Sequence, residues 1–248
     1  YMKNRRRAYM PYNLDKFEAG LKELSLELTE EQKQQFLTYY EMMVEKNKVM
    51  NLTAITEFDE VIEKHFLDSL CLVHVMDCTK KYQILDLGTG AGFPGIPLKI
   101  AFPELEIVLM DSLNKRINFL NEVIAELGLQ GITAVHGRAE EMARQKTYRE
   151  QFDVCVSRAV ANLSSLSEYC LPFVKKDGCF ISYKAADSDQ EIQDAKHAVF
   201  LLGGKTEEVK KYEIPGSDAG RALIRIRKVK NTPNAYPRKA GTPSKNPL

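Results

Sequence analysis

From residue 82 onward, short apolar runs alternate with segments of helical periodicity. The runs are QILDL, EIVLMD, ITAVHG, FDVCVSR and GCFISYK. Runs of this length are typical of strands that are buried on both faces. For two consecutive strands to be parallel, the chain must cross back to the end of the sheet where the first strand began, usually through a helix. The alternation therefore predicts an α/β fold with a doubly wound, mostly parallel, Rossmann-like sheet.

Two further segments, closer to the C-terminus, follow a different pattern. KTEEVKKYEI and ALIRIRKV lie on either side of Pro215 and Gly216, which predicts a C-terminal antiparallel hairpin. Apolar residues alternate with Arg225 and Arg227 in the second run, and this alternation indicates an edge strand.

Helical patterns precede residue 82. Thr29 and Gln32 form a capping-box pattern, and Thr56 with Asp59 suggests a second helix start. We therefore expect a helical N-terminal cap over 1–80, a ligand-binding α/β domain over 81–230 and a basic, Pro-rich C-terminal tail over 231–248.

Composition narrows the class of protein. Hydrophobic residues make up 44% and charged residues 28% of the chain, as in a soluble globular protein. No apolar run approaches 18 residues, which argues against a membrane-spanning helix. The five cysteines form no C-x-x-C pair, so we expect neither a disulfide framework nor a zinc site, but core thiols in a reducing compartment, the cytoplasm.

The C-terminal end is strongly basic. Residues 219–248 contain eight Lys or Arg and no Asp or Glu. Such an end suits a polyanionic partner. Composition alone favours the other interpretation, which is a solvated, partly disordered tail.

A Gly-rich turn follows the first predicted strand and precedes a helix. Four glycines fall within eight residues, from Gly88 to Gly95, and glycine allows a ligand to approach the backbone closely. The spacing satisfies G-x-G-x-x-G, and Asp111 follows Gly90 by 21 residues, so a nicotinamide dehydrogenase has to be considered. The position of Asp86 before the turn, Ala139-Glu140 after the third strand and the closing hairpin together favour an S-adenosylmethionine-dependent methyltransferase.

Seven ordered segments resemble the RsmG (GidB) family. They are NLTAI, KHFLDSL, DLGTGAGFPGIPLKI, VLMDSLNKRINFL, GRAEE, SRAVANLSSL and TPNAYPRKAGTPSKNPL. The resemblance covers about residue 14 to the C-terminus. It implies a bacterial S-adenosylmethionine-dependent methyltransferase that forms 7-methylguanosine in 16S ribosomal RNA.

The resemblance also implies roles for single residues. It places Gly88, Gly90 and Phe93 beside the cofactor, Asp111 at its ribose, and Ala139 and Glu140 at its adenine. Arg158, at the end of the fourth strand, would line the active-site side. Each of three residues also has a purely structural alternative: Phe93 could be a core residue, Glu140 an exposed helix acid and Arg158 a member of a surface ion pair. With Asp86 and Gly92 added, the expected cofactor-binding residues are Asp86, Gly88, Gly90, Gly92, Phe93, Asp111, Ala139, Glu140 and Arg158.

The fourth strand lacks the motifs of two other base methylations. It ends in SRAV instead of the Asn- or Asp-Pro-Pro-aromatic motif of exocyclic amine methylation, and no cysteine stands in the context used for attack on pyrimidines. Guanine N7 carries no proton, so direct in-line transfer needs only positioning, without a nucleophile, a metal or an obligatory general base. Arg158 is the main catalytic candidate. His65 is a weak candidate, because it lies on the apolar face of its predicted helix, where a hydrogen-bonded core histidine is expected more often than a catalytic one.

The expected partner is 16S ribosomal RNA or the small ribosomal subunit. A guanine would have to be presented from a loop, because the deep major groove of duplex RNA hides N7. Phosphate contacts are expected from Arg238, Lys239 and Lys245. A methyltransferase with a non-RNA acceptor, and an RNA-binding module with a vestigial cofactor site, are the competing functions.

Overall fold

Seven strands form one sheet in the order β3-β2-β1-β4-β5-β7-β6. The computed structural model describes residues 12–158 and 161–248 of the chain, so the basic N-terminal start and residues 159–160 of the SRAV segment lie outside the described residues. All pairs from β3 to β5 are parallel, and β7 pairs antiparallel with both β5 and β6. The predicted doubly wound α/β fold with a C-terminal hairpin is confirmed. The strands are β1 (Gln83–Leu87), β2 (Glu106–Asp111), β3 (Ile132–His136), β4 (Phe152–Arg158), β5 (Val174–Ala185), β6 (Gly204–Glu213) and β7 (Gly220–Lys228).

The predicted edge position of β7 is wrong. Its residues Leu223 and Ile224 are both fully buried and belong to two different core clusters, so β7 is covered on both faces. Arg225 pairs with Glu207 of β6 at 3.3 Å and donates a hydrogen bond to the Val75 carbonyl at 2.7 Å. The edge strand on this side of the sheet is β6, most of which is exposed and charged, as solvent-facing edges commonly are.

Helices cover both faces of the sheet and form the N-terminal region. A π-helical turn, Ile62–Leu67, lies between α3 and α4, and 3-10 turns span Cys71–His74 and Leu171–Phe173. No helix in the described ranges is both long and apolar enough to cross a membrane. The helices are α1 (Asp15–Glu23), α2 (Glu30–Met50), α3 (Phe58–Val61), α4 (Asp68–Leu70), α5 (Gly95–Ala101), α6 (Asn114–Glu126), α7 (Ala139–Met142), α8 (Leu163–Cys170), α9 (Asp189–Asp194), α10 (Lys196–Leu201) and α11 (Thr242–Lys245).

One of the two predicted helix starts is confirmed. Thr29 caps α2, and the reciprocal hydrogen bonds with Gln32 complete the capping box. The start predicted at Thr56 is wrong, because α3 begins one residue later with Glu57 at its N-cap and no side-chain cap. The carbonyl of Thr56 instead accepts a hydrogen bond from the Tyr40 hydroxyl of α2, at 2.8 Å.

The N-terminal helices share a core with one face of the sheet. Phe36, Tyr39 and Phe66 pack in a buried aromatic group that extends to Phe93 in the Gly-rich turn. The five cysteines are buried free thiols, as the sequence predicted. The N-terminal helices therefore support the Gly-rich turn through apolar packing, which stabilises a fold by about 25 cal/mol for each Å² of apolar surface buried.

The tail over 231–248 is ordered on the body of the protein, so the interpretation of a partly disordered tail is wrong. Arg149 donates hydrogen bonds to the carbonyls of Thr232 and Tyr236, each at 2.9 Å, and Ser165 of α8 donates to the carbonyl of Pro243. The tail also contains α11, which no helical pattern had indicated. Composition identified an excess of charge here but not the partners that fix the backbone.

Candidate active site

A cleft of about 550 Å³ opens at the carboxyl ends of β1 to β4. The strand order reverses between β1 and β4, and ligands of doubly wound folds bind at such a switch point. The volume lies within the range of small-molecule sites. Loops after β2 and β3 form one end of the cleft, and the N-terminal helices together with the end of β4 form the other.

The Gly-rich turn uses its glycines for two purposes. Gly88 and Gly90 line the cleft with positive φ angles of 71° and 62°, and a Cβ atom at Gly90 would meet nothing within 4 Å. Gly92 is absent from the lining, and a Cβ there would lie 2.8 Å from the hydroxyl oxygen of Tyr39. The first half of the turn therefore leaves room for a ligand, and the second half allows close packing inside the protein.

Asp86 lies beneath the turn and does not line the cleft. It is fully buried, and its Oδ2 accepts hydrogen bonds from the Thr89 hydroxyl at 2.7 Å and the Gly95 amide at 2.8 Å. Burial raises the pKa of Asp86 to about 7, although both hydrogen bonds oppose the shift. Asp86 thus shapes the turn from inside the protein.

Asp111 ends β2 at the wall of the cleft. Its Oδ2 accepts the Gly90 amide at 3.0 Å and pairs with Arg116 at 3.2 Å, while Oδ1 accepts the Leu113 amide. The side chain is only 3% exposed. These contacts fix a carboxylate beside the open part of the turn, where the remaining lone pair of Oδ1 can accept a hydrogen bond from a ligand.

Ala139 and Glu140 line the same end of the cleft, after β3. Glu140 is 8% exposed, which contradicts the alternative of an exposed helix acid. Its Oε1 accepts a hydrogen bond from the Gly241 amide at 2.9 Å. Tyr169 of α8 also lines this end. Because Gly241 belongs to the C-terminal tail, its hydrogen bond to Glu140 means that the tail supports this end of the cleft.

Arg158 and His65 line the opposite end of the cleft, and both contact Phe93. The imidazole stacks on the Phe93 ring with 4.4 Å between centroids, and the guanidinium carbon lies 5.1 Å from the ring centroid. Phe93 also belongs to the buried core cluster, so it borders the cleft and the core at once.

The Arg158 guanidinium is fixed by three acceptors. Nη1 donates to the Lys64 carbonyl at 3.1 Å and to Asp68 Oδ2 at 3.0 Å, and Nη2 lies 3.0 Å from His65 Nδ1. The Arg158 and Asp68 side chains are 14% and 4% exposed, so the alternative of a surface ion pair is wrong. Burial, and then the charge of Arg158, lower the pKa of His65 to about 3.

Sequence reasoning left Asp68 without a role and did not single out Thr53, which also lines this end. Both lie in segments that carried the family resemblance, NLTAI and KHFLDSL, and that was the available signal. Among the residues the structure describes, no group of three or more His, Cys, Asp or Glu side chains could hold a metal ion.

The three expected RNA-contact residues divide into two kinds. Arg238 is engaged inside the protein, where its Nη2 lies 2.7 Å from Oε2 of the fully buried Glu168. Lys239 and Lys245 are exposed. The structure therefore leaves the two lysines accessible and gives Arg238 a structural ion pair.

Solved structures of low identity share the fold. The YcgJ protein from Bacillus subtilis has a TM-score of 0.51 at 14% identity, with 67% of this chain and 100% of that chain covered. A predicted O-methyltransferase from Agrobacterium tumefaciens has a TM-score of 0.50 at 18% identity, with coverage of 68% and 82%. At such identities the likeness concerns the fold alone.

Sequence relatives are far more similar. A protein from Lachnoclostridium phytofermentans, named ribosomal RNA small subunit methyltransferase G, is 56% identical over 94% of this chain and 96% of its own length. A protein of the same name from Alkaliphilus metalliredigens is 52% identical over 92% and 96%. The family model of GidB, rRNA small subunit methyltransferase G, matches residues 32–219. With three quarters of its length inside that match, the chain belongs to the GidB family of rRNA small subunit methyltransferases.

Proposed function

We propose that this chain transfers a methyl group from S-adenosylmethionine to N7 of a guanine in 16S ribosomal RNA, in the cytoplasm. The observation that carries the proposal is the two-ended cleft at the switch point of the sheet. One end presents the Asp111 carboxylate beside an open glycine turn, and the other presents a fixed arginine and histidine. The family supports an rRNA acceptor.

The residues of the first end fit an adenosyl group. The Asp111 carboxylate is an acceptor of the kind that a ribose diol requires, and the missing side chain at Gly90 leaves space beside it. Ala139, Glu140 and Tyr169 would surround the adenine. When bound, S-adenosylmethionine supplies an electrophilic sulfonium methyl group.

The residues of the second end would orient the acceptor base. Arg158 is held at 3.0 Å by Asp68, and His65 is neutral near pH 7 because its pKa is about 3. Guanine N7 carries no proton, so the transfer asks for alignment of the base and not for its deprotonation. The five buried cysteines lie outside the lining, and we expect no cysteine nucleophile.

A basic surface would hold the RNA around the cleft. Arg138 lines the cleft and is exposed, and Lys239 and Lys245 are exposed on the tail. Such side chains suit phosphate contacts that position an RNA without reading its sequence. We expect the assembled small subunit to be a better acceptor than free RNA, because the formal charge of the chain is only +1.

The test uses labelled S-adenosylmethionine with three acceptors that lack the modification. They are small ribosomal subunits, their naked 16S RNA, and large-subunit RNA as the control. After digestion to nucleosides, we expect label in 7-methylguanosine from small-subunit RNA only. Label in another nucleoside would overturn the N7 assignment, and no transfer despite measurable cofactor binding would point to a non-RNA acceptor.

A further inference from the structure

The second end of the cleft contains a hydroxyl group whose hydrogen-bonding role is fixed by its neighbours. Thr53 lies in the irregular segment after α2, where its amide donates to Asn47 Oδ1 at 2.9 Å. Its side chain lines the cleft near His65. The contacts of His65 determine whether this hydroxyl donates or accepts.

Arg158 selects the tautomer of His65. A guanidinium nitrogen is always a donor, so Nη2 at 3.0 Å requires His65 Nδ1 to be the acceptor. The Lys64 carbonyl, 3.2 Å from the same Nδ1, accepts instead from Arg158 Nη1 at 3.1 Å. The single proton of the neutral imidazole therefore resides on Nε2.

The His65 tautomer in turn determines the direction of the next hydrogen bond. Nε2 lies 2.9 Å from Thr53 Oγ1 and donates to it, and the Ile55 amide donates to the same oxygen at 3.0 Å. A hydroxyl has two lone pairs and one proton, and both lone pairs are now engaged. Within the described residues no protein group accepts the remaining Thr53 proton.

We propose that Thr53 donates a hydrogen bond to O6 of the acceptor guanine, with His65 as the positioning residue that fixes the hydroxyl as a donor. The inference rests on the proposed function and adds a basis for choosing the base. Guanine presents two acceptors, O6 and N7, along the edge that must face the methyl donor. A donor at O6 places N7 beside it in a defined orientation.

The same arrangement disfavours adenine. Adenine also has N7, but it carries an amino group where guanine has O6. That amino group would meet a hydroxyl that cannot accept, so two donors would face each other. Sites built around a fixed hydrogen bond reject the base that cannot make it, because a buried polar group is left unpaired.

The experiment compares Thr53→Val, which keeps the shape and removes the hydroxyl, with Thr53→Ser, which keeps it. Single-turnover transfer of label to small subunits is measured beside equilibrium binding of S-adenosylmethionine. We expect Thr53→Val to slow transfer about tenfold with unchanged cofactor affinity, from the usual contribution of one hydrogen bond. Thr53→Ser should remain within about threefold of the wild type.

A second acceptor tests the choice of base directly. The wild-type enzyme should transfer methyl groups more slowly to small subunits whose target guanine is replaced by adenine than to unaltered ones. Thr53→Val should lower the ratio of the guanine rate to the adenine rate about fivefold or more. Wild-type rates for Thr53→Val, an unchanged ratio, or a parallel loss of cofactor binding would each overturn the role of Thr53. Absence of guanine methylation by the wild-type enzyme would instead remove the proposed function, and this inference with it.

Discussion

Arg158 at the end of β4 is held by Asp68, which precedes it by 90 residues in the chain, through a buried ion pair of 3.0 Å. The other carboxylate oxygen of Asp68 accepts the Tyr212 hydroxyl at 3.3 Å. One carboxylate of the N-terminal helical region thus connects β4 and β6 beneath the acceptor end of the cleft.

Asp68→Ala should therefore cost both stability and activity. It leaves the guanidinium of Arg158 buried without a counterion, and we expect a loss of about 3 kcal/mol in the free energy of unfolding, measured with urea. Methyl transfer should fall further than cofactor affinity. The matched control is Glu122→Ala, which breaks a pair between the exposed Glu122 and the partly exposed Lys46 and should cost less than about 1 kcal/mol. Equal losses for both variants would contradict this account.

His65 should remain uncharged across the physiological pH range. Its pKa is about 3 in the folded protein and about 6.5 in the unfolded chain, so the unfolded chain binds more protons between these values. Stability therefore falls as the pH drops from 7 toward 3, by about 2 kcal/mol at pH 5 for this group. Imidazole ¹⁵N spectra should show the Nε2-protonated form with no titration between pH 5.5 and 8.

The stability effect is isolated by comparison with His65→Gln. The carboxyl of Asp86, with a raised pKa of about 7, acts in the opposite direction, because the folded protein binds more protons there between about pH 4 and 7. The difference between wild type and variant cancels that contribution. A wild-type imidazole that titrates near pH 6.5 would refute the assignment.

Asp111→Asn should weaken cofactor binding about tenfold or more, the usual magnitude for hydrogen bonds to a charged group. Calorimetric titration with S-adenosylmethionine measures it. Asp153→Asn is the matched control, because Asp153 accepts the Gln83 amide at the other end of β1, away from the cleft. Unchanged affinity in Asp111→Asn would remove Asp111 from the cofactor site.

Arg238 and Lys239 should differ although they are neighbours. Arg238→Ala leaves the buried Glu168 carboxylate without its partner and should lower the free energy of unfolding by about 3 kcal/mol. Lys239→Ala should change stability by less than about 0.5 kcal/mol. In RNA binding, Lys239→Ala should reduce the slope of log affinity against log salt by about 1. Identical stability losses would contradict the structural role of Arg238.

The sheet could be predicted from the sequence because local pattern determines most of it. The bounds of β1, β2 and β4 coincide with the apolar runs, since strands that are largely buried read as nearly continuous apolar segments, and β3 ends one residue before its run does. The position of β7 between β5 and β6 could not be inferred this way. The alternation of Arg with Ile indicates which side chains of β7 are polar, but it does not indicate whether another strand pairs with the backbone of β7 on the side away from β5.

The site was predictable where it is local and not where it depends on distant partners. Gly88, Gly90 and Asp111 lie within 24 residues of chain, and they come together at the cleft. The sequence shows the charge of Arg238 but not Glu168, which is 70 residues away. The resemblance pointed to the segment NLTAI, but the role that we propose for Thr53 could not be derived from it, because that role depends on the tautomer that Arg158 imposes on His65.

The different sequence spans of the two ends have a consequence for how the protein assembles. The Gly90–Asp111 contact closes a loop of 21 residues, whereas Arg158–Asp68 spans 90 and Tyr212–Asp68 spans 144. Longer loops cost more entropy to close, and distant contacts slow folding. We therefore expect the Gly-rich turn and Asp111 to organise before Arg158 and Asp68 come together, so that a chain caught midway through folding would have this part of the proposed cofactor site before it could hold a base.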